Sequence, residues 1–478
     1  MGAGELRGAV SLSGLKGRYC RRSFAGQGSG EETERAGEQR RPFRNLKMEK
    51  QTELKEIRAG IIGIGNMGSA HAATISSGKI RGMRLTAVCD IRPERLAWAK
   101  EHLSCRAEEQ SPEPARKPER DPEPADAGAA SASGVVALYT DYRELLDSGV
   151  VDCVIIAVPH PLHPVIAKEA FKRGLHVLTE KPAGIDVRSV REMNEAAAAS
   201  GKVFGIMYNQ RTNPLFAELK ARVADGTLGD IKRFVWIINN WYRTQFYYDS
   251  GAWRATWNGE GGGVLLNQCP HNLDIWQWIM GMPKRVRAFC HEARYHDIHV
   301  EDDATIYAEY ENGATAVFVT STGEYPGTNR IEVSGTRGKA VLEDGRLKLF
   351  LTARDEREIC RDAKEAFHEE PLTVRETVQT EPDSAHPGIL QNFTDAVLYG
   401  TPLLAPGEEG INGLAISNAA YLSSWTDDWA ELPLDEEKFL KLLGERQQAE
   451  RENGGKKGLP AAGSETDGGY NKRWSVRW

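Results

Sequence analysis

Apolar residues along the chain fall into two regimes. In the first half they form short continuous runs, Ile57 to Ile62, Arg84 to Asp90, Val135 to Tyr139, Val150 to Val158, His176 to Thr179 and Val203 to Tyr208. Runs of that length, rich in Val and Ile, read as strands buried on both faces. Between them stand helical stretches: a small-residue segment after Gly68, the short Tyr142 to Leu146, Pro164 to Arg173, and Val187 to Ala199. Strand and helix in alternation predict a parallel sheet with helices on both faces. After Gly229 the segments lengthen: Ile231 to Asn239, Val286 to Ala293, Thr305 to Tyr310, Ala314 to Thr320 and Arg330 to Val333. Glu311-Asn312-Gly313 between two of these predicts a hairpin turn. The second half is therefore expected to be a separate domain on an antiparallel or mixed sheet.

Three stretches lack periodicity. Residues 1–54 begin rich in Gly, Arg and Ser and are expected to be a disordered extension, with Met48 as an alternative start. Residues 104–134 run through Glu, Pro, Ala, Arg and Ser and read as a disordered insertion that lengthens one loop without breaking the sheet. Residues 446–478 are expected to be a flexible tail, in which Trp474 and Trp478 stand by chance or dock on a partner subunit. The domain boundaries that follow are 55–182 and 183–445.

Composition narrows the class. A chain of 478 residues with 40% hydrophobic content buries a large core, and its formal charge of −7, with Lys and Arg interspersed among Asp and Glu, gives no footprint for nucleic acid. No apolar stretch reaches the length of a membrane span. The seven cysteines, Cys20, Cys89, Cys105, Cys153, Cys269, Cys290 and Cys360, show no CxxC, and read as buried thiols of a reducing compartment, which places the protein in the cytoplasm. No His, Cys and Asp cluster has metal-ligand spacing, so no metal is expected. The partner is a small molecule.

Gly63-Ile64-Gly65-Asn66-Met67-Gly68 joins the first strand to a helix, the layout of a dinucleotide-binding turn. Gly63 permits the tight turn, Gly65 lets backbone amides, those of Asn66 and Met67 among them, approach a pyrophosphate, and Gly68 lets the helix pack on the strand. Asp90 ends the next strand, where a carboxylate suits a ribose diol and repels a 2′-phosphate. NAD is favoured over NADP, although Arg92 and Arg95 are near enough to reach such a phosphate. Thr179-Glu180-Lys181-Pro182 ends a parallel strand and points Lys181 at the same crevice. Pro159-His160-Pro161-Leu162-His163 borders it too, with the histidines as cofactor contacts or helix caps.

A third element is the glycine run Gly261-Gly262-Gly263 leading to Asn267, Cys269, His271 and Asp274. In a helical stretch Asn267 and His271, four apart, share a face. His271 has an imidazole suited to proton transfer near neutrality, and Asp274 is placed to orient it. The plain alternative is a core histidine among Leu273, Trp276 and Trp278. Trp241, Tyr242, Arg243, Tyr247, Tyr248, Trp253, Arg254 and Trp257 form an aromatic and basic cluster, of a kind that stacks on sugar rings and binds hydroxyls or carboxylates. Thr328, Asn329 and His386 are further candidates for the same pocket.

These motifs, in this order, resemble the Gfo/Idh/MocA family of sugar and cyclitol oxidoreductases, over about Ile57 to Leu440. The matching pieces are the Gly63 to Gly68 turn, Glu180-Lys181-Pro182, the glycine run ahead of His271 and Asp274, Val300-Glu301-Asp302-Asp303, and Gly407-Glu408-Glu409-Gly410. The resemblance implies an α/β fold: a doubly wound Rossmann domain, then an α/β domain with a large open, mainly antiparallel sheet that forms a homodimer or homotetramer. It implies Lys181 and His271 as the catalytic pair, flanking the reacting carbinol. Gly63, Gly65, Asn66, Met67, Gly68, Asp90, Arg95, Pro159, His163, Glu180, Lys181 and Asn209 are then the cofactor contacts. Lys181, Trp253, Arg254, Asn267 and His271 face the substrate. One departure stands out: many members have Asp where this chain has Asn267, so the role of base rests on His271. The implied activity is NAD-dependent oxidation of a secondary hydroxyl of a sugar, glycoside or cyclitol. The alternatives are redox-neutral glycoside cleavage through transient oxidation, and a non-enzymatic dinucleotide sensor.

Overall fold

The computed structural model describes residues 56–103, the backbone of 105–106, and 135–453. The expected N-terminal extension, nearly all of the insertion, and the tail from residue 454, with Trp474 and Trp478, lie outside the described residues.

The continuous apolar runs form the first sheet. Its elements are β1 (Ile57–Ile62), α1 (Asn66–Ser76), β2 (Met83–Cys89), α2 (Pro93–His102), β3 (Cys105–Arg106), β4 (Val136–Tyr139), α3 (Tyr142–Asp147), β5 (Cys153–Ile156), α4 (Leu162–Lys172), β6 (His176–Thr179), α5 (Val187–Ser200) and β7 (Phe204–Ile206). The strands lie in the order β3-β4-β2-β1-β5-β6-β7, every pair parallel. The order reverses direction between β1 and β5, so the crevice outside the carboxyl ends of these strands is the ligand position of an open α/β sheet. Burial explains the pattern: all four residues of β5 are buried, as an inner strand of a doubly covered sheet requires.

A 3-10 turn, Asn209–Thr212, leads to the second half: α6 (Pro214–Ala224), β8 (Ile231–Ile238), α7 (Gln245–Asp249), α8 (Pro270–Met280), β9 (Arg285–Glu292), β10 (Glu301–Glu309), β11 (Thr315–Ser321), β12 (Asn329–Gly335), β13 (Gly338–Glu343), β14 (Arg346–Thr352), α9 (Glu356–Asp362), β15 (Leu372–Val378), α10 (Ala385–Tyr399), α11 (Gly410–Thr426), β16 (Ala430–Glu431) and α12 (Glu436–Glu452). The second sheet runs β15-β14-β13-β12-β8-β11-β10-β9-β16. Only β8 and β11 pair in parallel. Between β10 and β11 the predicted hairpin is present, with Gly313 at φ 83°. Helix α8 is seated by Trp276, whose ring stacks between Phe234 of β8 and Phe318 of β11 at centroid distances of 6.1 and 5.7 Å. That packing fixes the helix carrying His271.

Three boundaries differ from the sequence reading. The first sheet continues past residue 182, because β7 pairs alongside β6 from Val177 to Thr179. The insertion begins with β3, whose backbone extends the sheet edge beside β4. Helix α12 runs past 445 to Glu452, since Arg446 lies over the Trp425 ring at 4.0 Å and Glu450 is buried. The thiols divide: Cys89, Cys153 and Cys269 are buried, Cys290 half-buried, while Cys360 is exposed on α9. No helix among the described residues is long and apolar enough to cross a membrane.

Candidate active site

The glycine turn is built as a cradle. A Cβ on Gly68 would stand 1.8 Å from the Gly63 carbonyl oxygen, and one on Gly63, at φ 93°, would stand 2.3 Å from that of Ala157. Gly65 differs, because a Cβ there would meet nothing within 4 Å. It is the N-cap of α1 and supplies no side-chain cap, which leaves the first amides of the helix, at Asn66, Met67 and Gly68, facing that open space. Asp90, buried at the end of β2, accepts from the Ile64 amide at 2.8 Å and the Arg92 amide at 2.9 Å, and Arg92 Nε lies 3.5 Å away. An uncapped helix start beside a fixed carboxylate fits the pyrophosphate and ribose of NAD. Arg92 is half-exposed beside Asp90, and Arg95 follows in the first turn of α2.

The ends of β5 and β6 close the crevice. His163 presents both ring nitrogens to main-chain carbonyls, Nδ1 to Pro182 and Nε2 to Val158, each at 2.7 Å. It braces the two loops together and has no free nitrogen for a cofactor, which corrects its expected role. Pro159 is exposed at the loop tip, and its carbonyl accepts from the Leu162 amide. His160 Nδ1 faces the Glu260 carbonyl at 3.0 Å, with the ring edge-on to Trp253. Glu180 is buried and held by His71 Nε2 at 2.6 Å. Despite burial, the hydrogen bond and charge of His71 hold its carboxyl down at about 2. Lys181 Nζ donates to the main-chain carbonyl of Asn267 at 2.9 Å. Burial pushes the Lys181 pKa down, against the pull of Glu180, Tyr247 and Glu260.

The glycine run is fastened from below. Glu301, at the start of β10, accepts from the Gly263 and Leu265 amides at 2.9 Å each and from the Tyr421 hydroxyl at 2.8 Å. A Cβ on Gly263 would lie 1.9 Å from the Glu301 carbonyl oxygen, so only glycine lets the run lie there. Asn267 precedes α8 and does not share its face with His271; its carboxamide turns to Glu260 and Tyr247. His271, in the first turn of α8, is 2% exposed, and neither ring nitrogen has a hydrogen-bond partner among the described residues. Burial, then the Lys181 cation nearby, holds its pKa well below the ordinary imidazole value, so the ring is neutral. Asp274 does not orient it: both its oxygens are taken by Arg211, at 2.8 and 2.6 Å.

Around this centre stand the remaining candidates. Asn209, on the 3-10 turn, is buried with Oδ1 unpartnered among the described residues. Arg254 donates to the Tyr247 hydroxyl at 3.0 Å and lies over the Trp253 ring, which is 37% exposed and forms the lip. His386, at the start of α10, lies 5.7 Å from the His71 ring. Asn329 is not in the pocket, because its Oδ1 accepts from Trp236 within the second sheet. Sequence reading missed His71, Glu260 and Arg211. His71 had a signal, being three residues past Gly68 on the same helix face; Arg211 acts through Asp274 and Glu409, both distant in the chain, and Glu260 through Asn267, Ala255 and Arg254, which are close in sequence but lie in a turn whose path no periodicity gives.

Two family models match the chain, an oxidoreductase family with an NAD-binding Rossmann fold over residues 57–208 and a GFO/IDH/MocA C-terminal domain over 216–341. Among similar curated proteins, the uncharacterized oxidoreductase YrbE of Bacillus subtilis is 25% identical over 61% of this chain and 75% of its own length. The scyllo-inositol 2-dehydrogenase (NAD(+)) of the same organism is 23% identical over 76% of this chain and 94% of its own. The crystal structure of the WlbA dehydrogenase from Bordetella pertussis, in complex with NADH and UDP-GlcNAcA, superposes with a TM-score of 0.61 at 23% identity, covering 80% of this chain and 100% of that one. Two matched domains in the same order, spanning more than half the chain, on a Rossmann sheet whose glycine cradle fits NAD, lead to one conclusion: this chain belongs to the Gfo/Idh/MocA family of oxidoreductases.

Proposed function

We propose that the chain is an NAD-dependent dehydrogenase that oxidises a secondary hydroxyl of a sugar, glycoside or cyclitol. The observation that carries this reading is His271: a buried, neutral imidazole with two unpartnered nitrogens among the described residues, close to the Lys181 ammonium. An unsatisfied buried nitrogen costs about 1–3 kcal/mol, so the residue is explained by a substrate atom it serves. The similarity to a scyllo-inositol dehydrogenase supports the class of substrate.

Bound nicotinamide supplies the hydride acceptor. Lys181 holds its proton on Nζ and donates to the substrate oxygen, which favours charge building there. His271 takes the hydroxyl proton on a ring nitrogen. Gly65, Asn66, Met67 and Gly68 bind the pyrophosphate through amides, Asp90 the ribose, and Asn209 Oδ1 accepts from the carboxamide end of the cofactor or from substrate. Trp253 and Arg254 form the substrate wall. A cytoplasmic homodimer or homotetramer accompanies this reading.

The test is incubation of the purified protein with NAD and a pooled panel of sugars, glycosides and cyclitols, following reduced cofactor and product mass together. Reduced cofactor with a product two hydrogens lighter, absent in His271→Ala, is the expected result. Glycoside cleavage without reduced cofactor would replace this reading with the redox-neutral one.

A further inference from the structure

The carboxamide of Asn267 is held by its nitrogen. Nδ2 donates to Glu260 Oε1 and, at 3.1 Å, to the Tyr247 hydroxyl, so both of its hydrogens are in use. An ionised carboxylate only accepts, and therefore the amide atom against Glu260 is nitrogen. That leaves Oδ1 without a partner among the described residues, on a half-buried side chain whose own main-chain carbonyl carries Lys181 Nζ. Glu260 is fixed in turn: it is 1% exposed, accepts from the Ala255 amide at 2.6 Å, and lies 3.8 Å from Arg254 Nη1.

We propose that Glu260 is a positioning residue that makes Asn267 an acceptor-only group, so that the site selects substrates presenting a second hydroxyl beside the one oxidised. The inference rests on the dehydrogenase reading. A free amide turns either atom to a ligand, whereas this one, locked by a charge-assisted hydrogen bond, offers only its oxygen. A polyol carrying neighbouring hydroxyls satisfies it. A substrate with an ether or carbonyl at that place leaves the Asn267 oxygen unpaired and binds more weakly.

The experiment is a charge swap in the full chain: Glu260→Gln, Asn267→Asp and the double variant, assayed with NAD and the best hydroxyl substrate of the panel. Glu260→Gln releases the amide and raises KM about tenfold, with kcat changed less. In Asn267→Asp two carboxylates share one proton. At low pH the protonated acid imitates the amide; as pH rises the pair loses that proton, and kcat/KM relative to wild type falls. In the double variant the amide introduced at position 260 donates to the carboxylate introduced at position 267, which restores KM to within about threefold and removes the pH dependence. Lys181, Arg254, Tyr247 and His160 are the other ionisable groups against the pair, and Lys181 feels the charge of Glu260, so the double variant, which carries one carboxylate as the wild type does, is the control that holds the charge around them constant. A double variant no better than the worse single, or a flat pH ratio for Asn267→Asp, would overturn the proposal. If the wild type turns over no hydroxyl substrate, the dehydrogenase reading fails separately. The pairing is then read from melting temperature, where Asn267→Asp should melt lower at high pH and the double should recover; no recovery overturns the pairing as well.

Discussion

Asp274 gives both carboxylate oxygens to Arg211, at 2.8 Å from Nε and 2.6 Å from Nη2, and neither to His271 one turn earlier on the same helix. Glu409 closes on Arg211 Nη1 at 2.6 Å from the loop before α11. The pair thus ties α8 to the 3-10 turn carrying Asn209, and leaves the imidazole free for chemistry.

Removing one partner of such a pair strands a buried charge. Arg211→Met is expected to destabilise the protein by about 3–5 kcal/mol, read as a lower urea midpoint. The folded fraction should keep most of its turnover, because Arg211 touches neither Lys181 nor His271 among the contacts described.

The opposite pairing of effects is expected at His271. His271→Leu removes two unsatisfied nitrogens while filling much of the same volume, so the melting temperature should hold or rise. Turnover should fall by about 10²–10⁴, the usual worth of a general base. A lower melting temperature with activity retained would make His271 a structural residue.

The pH profile follows from two downward shifts. His271, well below its ordinary 6.5, is already neutral at neutral pH, so the acid limb of kcat/KM should lie below 6.5. Lys181, below its ordinary 10.5, loses its proton sooner as pH rises, and the alkaline limb should lie below 10.5. Activity is therefore lost on acidification only when the imidazole charges, and lost at high pH when the ammonium discharges. Lys181→Ala should abolish the alkaline limb along with most of kcat.

Two glycines separate folding from cofactor binding. Gly65→Ala meets no neighbour within 4 Å, and its φ of −76° suits alanine, so thermal stability should be unchanged. The methyl would stand where the pyrophosphate approaches, and the Kd for NAD should rise about tenfold or more. Gly68→Ala, which drives a Cβ to 1.8 Å from the Gly63 oxygen, should lose both stability and NAD binding in the same titration and melt.

Local pattern carried the sequence reading a long way. Ile57–Ile62 and His176–Thr179 were bounded to the residue, because a buried parallel strand between a polar start and a glycine or charged end is written in adjacent positions. The placing of Lys181 just past β6 and of His271 at the opening of α8 was legible for a similar reason: each closes or opens an element beside a motif. What was not legible depends on pairings across the chain. The Asp274 to Arg211 bond spans 63 residues, so spacing alone made the nearby His271 look like its partner. His163 reads as a ligand until both its nitrogens are found on carbonyls. Asn267 reads as helical until Gly261 to Gly263 and Glu301 place it in the turn before α8.

The end of α12 is stitched to Trp257 and Asn258, just ahead of Glu260 in the chain, and the Trp257 ring packs on Tyr421 and Trp425. Glu450 accepts from the main-chain amides of Trp257 at 3.2 Å and Asn258 at 2.9 Å, and Gln447 Nε2 donates to the Trp257 carbonyl at 3.0 Å. A protease cut or an early stop codon upstream of Gln447 would strip those caps from a segment nearly two hundred residues earlier in the chain. Such a fragment keeps the glycine cradle intact on the other sheet, so it would still be retained on an immobilised-nucleotide column while handling its substrate poorly.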